Sequence, residues 1–254
     1  MFTPDFIGIG GHRCGSSWLW THIRRHPLVW TPGAKELHFF DRKLRNSALG
    51  RIASSHASLT RLYYSRYFLK SGLRRDLVRG EFTPAYGIME PEEIRLVHTV
   101  APKAKLLLIM RDPVEATWSH LRKDYQDTTG ERLEDASESA LLAFAEQDAV
   151  TLRRDYPRMI DNWAQFYPRD RIKPLFFEEC MVDPVEHLVE IWDFLGLPDG
   201  TQYAAREDLK AKVNARAYSQ IPEALQAYAL DKYRPMNQRL SDMLGRATPW
   251  AAFA

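Results

Sequence analysis

Phe6-Ile7-Gly8-Ile9-Gly10-Gly11-His12-Arg13-Cys14-Gly15-Ser16-Ser17-Trp18-Leu19-Trp20 joins an apolar run to a glycine-bearing turn and an aromatic-rich helix start. These are the ingredients of a phosphate cradle. In such a turn the backbone N–H groups from Gly15 to Ser17 point at an anion, Arg13 adds positive charge, and the helix presents its positive dipole end. The loop departs from the GxxxxGK[ST] pattern: Gly15 is followed by Ser16 and Ser17, and the basic residue precedes it.

Outward from this loop the chain alternates strand and helix signals. Asp5–Ile9 reads as a buried first strand, Ser16–Arg25 as a helix capped by a serine, and Leu59–Lys70 as an amphipathic aromatic helix. Leu77–Gly80 reads as a short strand, Pro91–Val100 as a helix opened by proline, and Lys105–Met110 as a continuous apolar strand running into Arg111-Asp112-Pro113. Pro113 starts a helix carrying Ser119, Gln126–Arg132 reads as a polar loop, and Leu133–Arg154 has helical spacing. A strand over Ile172–Phe177, a helix over Pro184–Leu195, a basic segment around Arg206–Arg216 and a last helix from Pro222 to Leu244 follow. Alternating βα units predict a three-layer α/β fold with a central, mostly parallel sheet flanked by helices. Ligands bind such sheets outside the carboxyl ends of the strands, where the motifs fall.

Composition narrows the class. At 254 residues and 45% hydrophobic, the chain is expected to form one α/β domain over its whole length, 1–254. A formal net charge of +2 gives no reason to expect nucleic acid. The two cysteines, the lack of a basic-then-apolar leader and the absence of any apolar run near ~20 residues predict a reduced, cytoplasmic protein without a membrane partner. His12, His22 and His26 lack metal-ligand spacing, so no metal is expected.

Beyond the loop come Lys35-Glu36-Leu37-His38-Phe39-Phe40, then Glu81-Phe82-Thr83-Pro84-Ala85-Tyr86, then Arg111-Asp112-Pro113 with Ser119 eight positions after Arg111. In this order the segments resemble the sulfotransferases that use 3′-phosphoadenosine 5′-phosphosulfate (PAPS). The HFF segment and TPAY turn are similar to the heparan-sulfate branch and its bacterial relatives, and Trp18 after the serine pair to the cytosolic branch. The fold implied is P-loop-like.

The resemblance implies PAPS as cosubstrate and adenosine 3′,5′-bisphosphate (PAP) as product. Arg13, Cys14, Gly15, Ser16 and Ser17 would hold the 5′-phosphosulfate, with Arg13 at the position of the family's loop lysine. Arg111 and Ser119 would take the 3′-phosphate and Trp18 the adenine. Lys212 and Arg216, among the basic residues Arg206, Lys210, Lys212 and Arg216, would close over the 3′-phosphate. Glu36 matches the family's general base, and flanking Leu37, Phe39 and Phe40 are expected to raise its pKa by desolvation; His38 is the alternative base. Cys14, near a helix N-terminus, is open to a lowered thiol pKa. Phe82 stands where the family often has lysine, which hints at a less anionic acceptor, with Lys35 partly supplying the missing cation.

The expected reaction is in-line sulfuryl transfer to a hydroxyl of a saccharide or of a small alcohol or phenol. Bland readings compete: Arg111-Asp112-Pro113 as a strand-end turn, Trp18 as a core aromatic, Glu36 as a solvated acid, and the cluster Arg61, Arg66, Lys70, Arg74, Arg75 and Arg79 as a solvated face. Two other function classes stay open, a P-loop-type nucleotide kinase and a non-catalytic nucleotide- or glycan-binding module.

Overall fold

The computed structural model describes residues 3–46, 50, 52, 56–204, 209 and 220–253. Strands β1 (Phe6–Gly8), β2 (Val29–Trp30), β3 (Val78–Phe82), β4 (Lys105–Met110) and β5 (Ile172–Phe176) form one sheet in the order β2-β3-β1-β4-β5. Every pairing is parallel: Phe6 sits opposite Gly80 on one side and Lys105 on the other, and Leu106 opposite Ile172. Parallel strands covered on both faces need unbroken apolar runs, and Lys105–Met110 supplies one. The two-residue β2 has no readable strand pattern in the sequence and pairs only with β3.

Helices α1 (Ser16–Ile23), α2 (Ala57–Ser65), α3 (Pro91–Val100), α4 (Pro113–Thr129), α5 (Glu138–Glu146), α6 (Tyr156–Ala164), α7 (Phe177–Val182), α8 (Pro184–Leu195) and α9 (Glu223–Leu244) flank the sheet. α1 packs on α8, α3 on α6, and α9 against α4, α5 and α6. Several starts follow one rule. Asp112, Asp155 and Asp183 each accept a first-turn N–H, from Val114 at 2.8 Å, Arg158 at 3.0 Å and Glu186 at 3.0 Å, and a proline follows within the first two helical positions.

Local readings needed correction at three places. α1 is capped by Gly15 in the left-handed region, with no side-chain cap; a Cβ at Gly15 would lie 2.2 Å from the Phe177 ring, so a serine cannot cap there. α4 runs on to Thr129 and ends on left-handed Gly130, through the stretch expected to be loop. The helix expected over 133–154 is broken, with Ser137 capping α5 through an Ala140 N–H at 3.2 Å and a fresh start after Gln147.

One buried knot couples the sheet to the segments that follow β2 and β3. Glu81 is 1% exposed and accepts hydrogen bonds from the Tyr64 hydroxyl, from Thr83 Oγ1 at 2.7 Å and from Tyr86 Oη at 3.3 Å. Tyr86 Oη in turn accepts the backbone N–H of Phe39 at 2.9 Å. Phe39 and Phe40 stack around Tyr64 with centroids 4.6 and 4.9 Å away. The TPAY turn and the HFF segment are therefore one packed unit, which explains why two tyrosines and a glutamate are buried together. Burial pushes the Glu81 carboxyl up, opposed by its three hydroxyl donors. Glu81→Leu leaves those hydroxyls without an acceptor, and urea unfolding should show a loss of about 3 kcal/mol, with Glu81→Gln losing less.

Candidate functional site

The strand order places a topological switch between β1 and β4: the chain leaves β1 toward β2 on one side and leaves β4 toward β5 on the other. Loops 9–15 and 111–112 both emerge at that crevice. The first lies directly on β4, where a Cβ at Gly10 would come 2.4 Å from the Ile109 nitrogen. Arg13 adopts φ 67° and Gly15 φ 89°, and Cys14 N donates to Gly11 O at 3.2 Å. Chain reversal in so few residues turns the first amides of α1 outward, without intrahelical acceptors.

Arg13 reaches across the crevice, donating from Nε to Ser119 Oγ at 3.2 Å. Ser16 Oγ accepts from Lys35 Nζ at 3.2 Å, and the same ammonium holds Glu36 Oε1 at 2.7 Å. Glu36 Oε2 lies 3.4 Å from His38 Nε2, while His38 Nδ1 lies 2.7 Å from Asp41 Oδ2. A continuous polar chain thus runs from the helix start to Asp41. Glu36 and His38 have φ of 62° and 49°, and a π-helical turn over Phe39–Lys43 follows. Left-handed backbone at two successive alternate residues directs Leu37, Phe39 and Phe40 into the core and leaves Glu36 facing the crevice with its side chain 38% exposed. The apolar surround expected for Glu36 is absent; its partners are a lysine and a histidine.

Around the second loop, the Arg111 guanidinium binds Glu115 at 3.1 Å and stacks over the Phe177 ring at 5.5 Å. Arg111 and Ser119 sit on the same helix approach, yet Ser119 takes its hydrogen bond from Arg13. Asp112 caps α4, and its backbone N–H donates to Glu178 Oε1 at 2.9 Å. Arg111-Asp112-Pro113 thus forms the strand-end turn, with the Arg111 side chain held by Glu115 and Phe177.

Three sequence expectations change here. Cys14 is wholly buried, its Sγ between His12 O at 3.4 Å and Tyr156 Oη at 3.3 Å, and burial pushes its thiol up, opposite to the lowering considered. Trp18 is 3% exposed with its indole N–H donating to Leu209 O at 2.8 Å, so it offers no open face to a base. Phe82 is 2% exposed and packs edge-on against Phe6 at 5.7 Å, a core residue that carries no information about an acceptor. Arg206, Lys210, Lys212 and Arg216 lie outside the described residues.

The structure also brings His120, Asp124 and Arg154, which the sequence does not mark, beside His12 of the loop. His12 and His120 meet edge to face at 4.8 Å, and His120 Nε2 lies 3.3 Å from Asp124. Burial, then repulsion from Arg153, pushes the His12 imidazole down to about 2; burial, then Arg154, pushes His120 down to about 3. Both rings are therefore neutral at ordinary pH. With Asp124 their ligand atoms lie within 4.8 Å of one another, but Arg13, Arg153 and Arg154 act on the same rings and would repel a cation as they repel a proton. Asp41 had a readable signal, three residues after His38 in HFFD; His120, Asp124 and Arg154 had none, because only the tertiary fold brings them to the loop.

A family model described as Sulfotransferase family matches residues 89–201. Heparan sulfate glucosamine 3-O-sulfotransferase 6 of Homo sapiens is 25% identical over 274 aligned residues, covering 97% of this chain and 73% of that protein. Among solved structures, a sulfotransferase from Alicyclobacillus acidocaldarius superposes with a TM-score of 0.71 at 23% identity, covering 98% of both chains. The sulfotransferase domain from the curacin biosynthetic pathway gives 0.59 at 17% identity over 98% of this chain and all of that one. The chain is thus similar to sulfotransferases in sequence and in fold. These sulfotransferase structures share the P-loop-like fold. Among the described residues, no helix is long and apolar enough to cross a membrane.

Asp112 yields a pH prediction. Burial, with the nearby Glu178 carboxylate adding to it, raises its carboxyl to about 6 from 3.8. A raised acid favours folding fully below pH 3.8, and that contribution is lost as pH rises through about 6. Asp112→Asn keeps a capping side chain without the charge, so its stability relative to the parent should improve between pH 4 and pH 7, by on the order of 2 kcal/mol in denaturant titrations at the two pH values.

Proposed function

We propose that this protein is a sulfotransferase that, acting as one domain, transfers the sulfuryl group of PAPS to a hydroxyl of a saccharide or of a small alcohol or phenol, with Glu36 as general base. The observation that carries this reading is the polar chain Ser16–Lys35–Glu36, with links of 3.2 and 2.7 Å, which sets a carboxylate beside an anion-accepting helix start.

In this reading the amides of Gly15, Ser16 and Ser17 bind the 5′-phosphosulfate, and Arg13 neutralises the bridging oxygen as it leaves. A guanidinium remains charged at neutral pH, so Arg13 acts by electrostatics and delivers no proton. Ser119, already held by Arg13 at 3.2 Å, and Arg111 at the end of β4 receive the 3′-phosphate, for which the guanidinium would exchange Glu115 for the ligand. Trp18 and Cys14 are assigned packing roles.

As the acceptor oxygen attacks sulfur, its proton passes to Glu36 and the bond from sulfur to the bridging phosphate oxygen breaks, releasing PAP. Lys35 and His38 orient the carboxylate, and Asp41 fixes the imidazole from the far side. Positioning and preorganised charge supply the catalysis.

Two measurements test this. Calorimetric titration without magnesium should show tight binding of PAP and much weaker binding of ATP and adenosine 5′-monophosphate; equal binding of all three would overturn the assignment. Glu36→Gln should lower kcat by at least about a hundredfold while leaving PAP affinity within about twofold, since a general base contributes in that range. Retained turnover would remove Glu36 from its role.

A further inference from the structure

Arg154 is 0% exposed, lies between α5 and α6, and touches the candidate site only through other residues. Its guanidinium donates from Nη1 to His12 O at 2.9 Å and from Nη2 to Ala116 O at 2.9 Å. Nη1 also reaches Arg153 O at 3.0 Å, while Nε meets Thr117 Oγ1 and Nη2 meets His120 Nδ1, each at 3.4 Å. Among the described residues none of these acceptors is a carboxylate. A cation held by carbonyl dipoles is directional: the planar fork fixes where each acceptor stands, and an ammonium on a flexible stem does not.

The two short bonds have a particular placement. His12 immediately precedes Arg13 in the loop, and Ala116 lies one turn before Ser119 on α4. The bridge His12–Arg154–Ala116 therefore runs alongside the Arg13–Ser119 contact and fixes the separation of the loop from α4. Under the proposed function this is the separation between the sites for the 5′- and 3′-phosphates.

We infer that Arg154 is a specificity-setting positioning residue, a rigid spacer that holds the loop and α4 at the distance matching a nucleotide phosphorylated at both 3′ and 5′ positions. This inference rests on the proposed donor site. A ligand carrying only a 5′-phosphate needs the loop alone and is indifferent to the spacing; the bisphosphate needs both. The quantity that reports the spacer is thus the ratio of the dissociation constants of adenosine 5′-monophosphate and adenosine 3′,5′-bisphosphate. A general loosening of the fold weakens both ligands together and leaves the ratio in place.

The experiment is calorimetric titration of the full chain with each nucleotide at one salt concentration, alongside thermal unfolding. In Arg154→Lys the positive charge remains and the fork is gone, so the ratio should fall by about tenfold, the scale of one charged hydrogen bond. A parent-like ratio in a folded Arg154→Lys protein overturns the inference. If that variant loses its cooperative unfolding transition, the ratio is read on Thr117→Val, which keeps the guanidinium and removes one of its acceptors. A fall of roughly two- to threefold is expected there, and an unchanged ratio overturns the inference. A parent protein that itself shows no preference for the bisphosphate instead removes the proposed function, so the two failures are told apart.

Discussion

Backbone meeting backbone at the β1–β4 seam is the constraint on which the site depends. Gly10 stands close enough to Ile109 that no side chain fits between loop and strand. That approach turns the chain upward at the switch of the sheet, sets Gly15 to start α1 in a left-handed conformation under the Phe177 ring, and brings Arg13 over Ser119. A wider loop would keep the same residues and lose their convergence. The glycines act here through what they leave out.

Electrostatics divides the crevice into two regions. On one side Lys35, Glu36, His38 and Asp41 form a linked polar chain that is partly open to solvent. On the other, Arg13, Arg153 and Arg154 surround histidines that burial and positive charge hold neutral. Asp124 and Glu36 act on Arg153 from the rim of this region, so its positive charge is only partly offset. The buried Glu81 knot meanwhile anchors the first region through Tyr86 and the Phe39 amide, so the segment carrying Glu36 and His38 is held by the sheet edge as well as by its own contacts.

Much of this was legible in the residues. Lys105–Met110 and the proline-started helices at Pro91, Pro113 and Pro184 agree with the sequence reading because apolar runs and N1 prolines act locally. β2 escaped because two residues carry no period. α6 lies beyond the helix expected over 133–154 and was not anticipated, although Asp155 and Pro157 mark its start. In the site, the order of motifs located Arg13, Glu36 and Ser119 at one crevice, whereas Trp18 and Phe82 went into the core. Aromatic identity alone does not say which way a ring points. His120, Asp124 and Arg154 were silent because their proximity to the loop is made by tertiary packing across more than a hundred positions.

The left-handed backbone at Arg13, Glu36 and His38 also shapes which changes these positions tolerate. For a β-branched residue that conformation crowds Cβ substituents against the neighbouring carbonyl, so valine, isoleucine and threonine are excluded there whatever their chemistry. Asparagine, aspartate and glycine enter the same geometry with little strain. The three positions therefore accept a narrow set of substitutions without backbone strain. Asparagine at position 36 would retain the chain path and remove only the carboxylate that Lys35 holds.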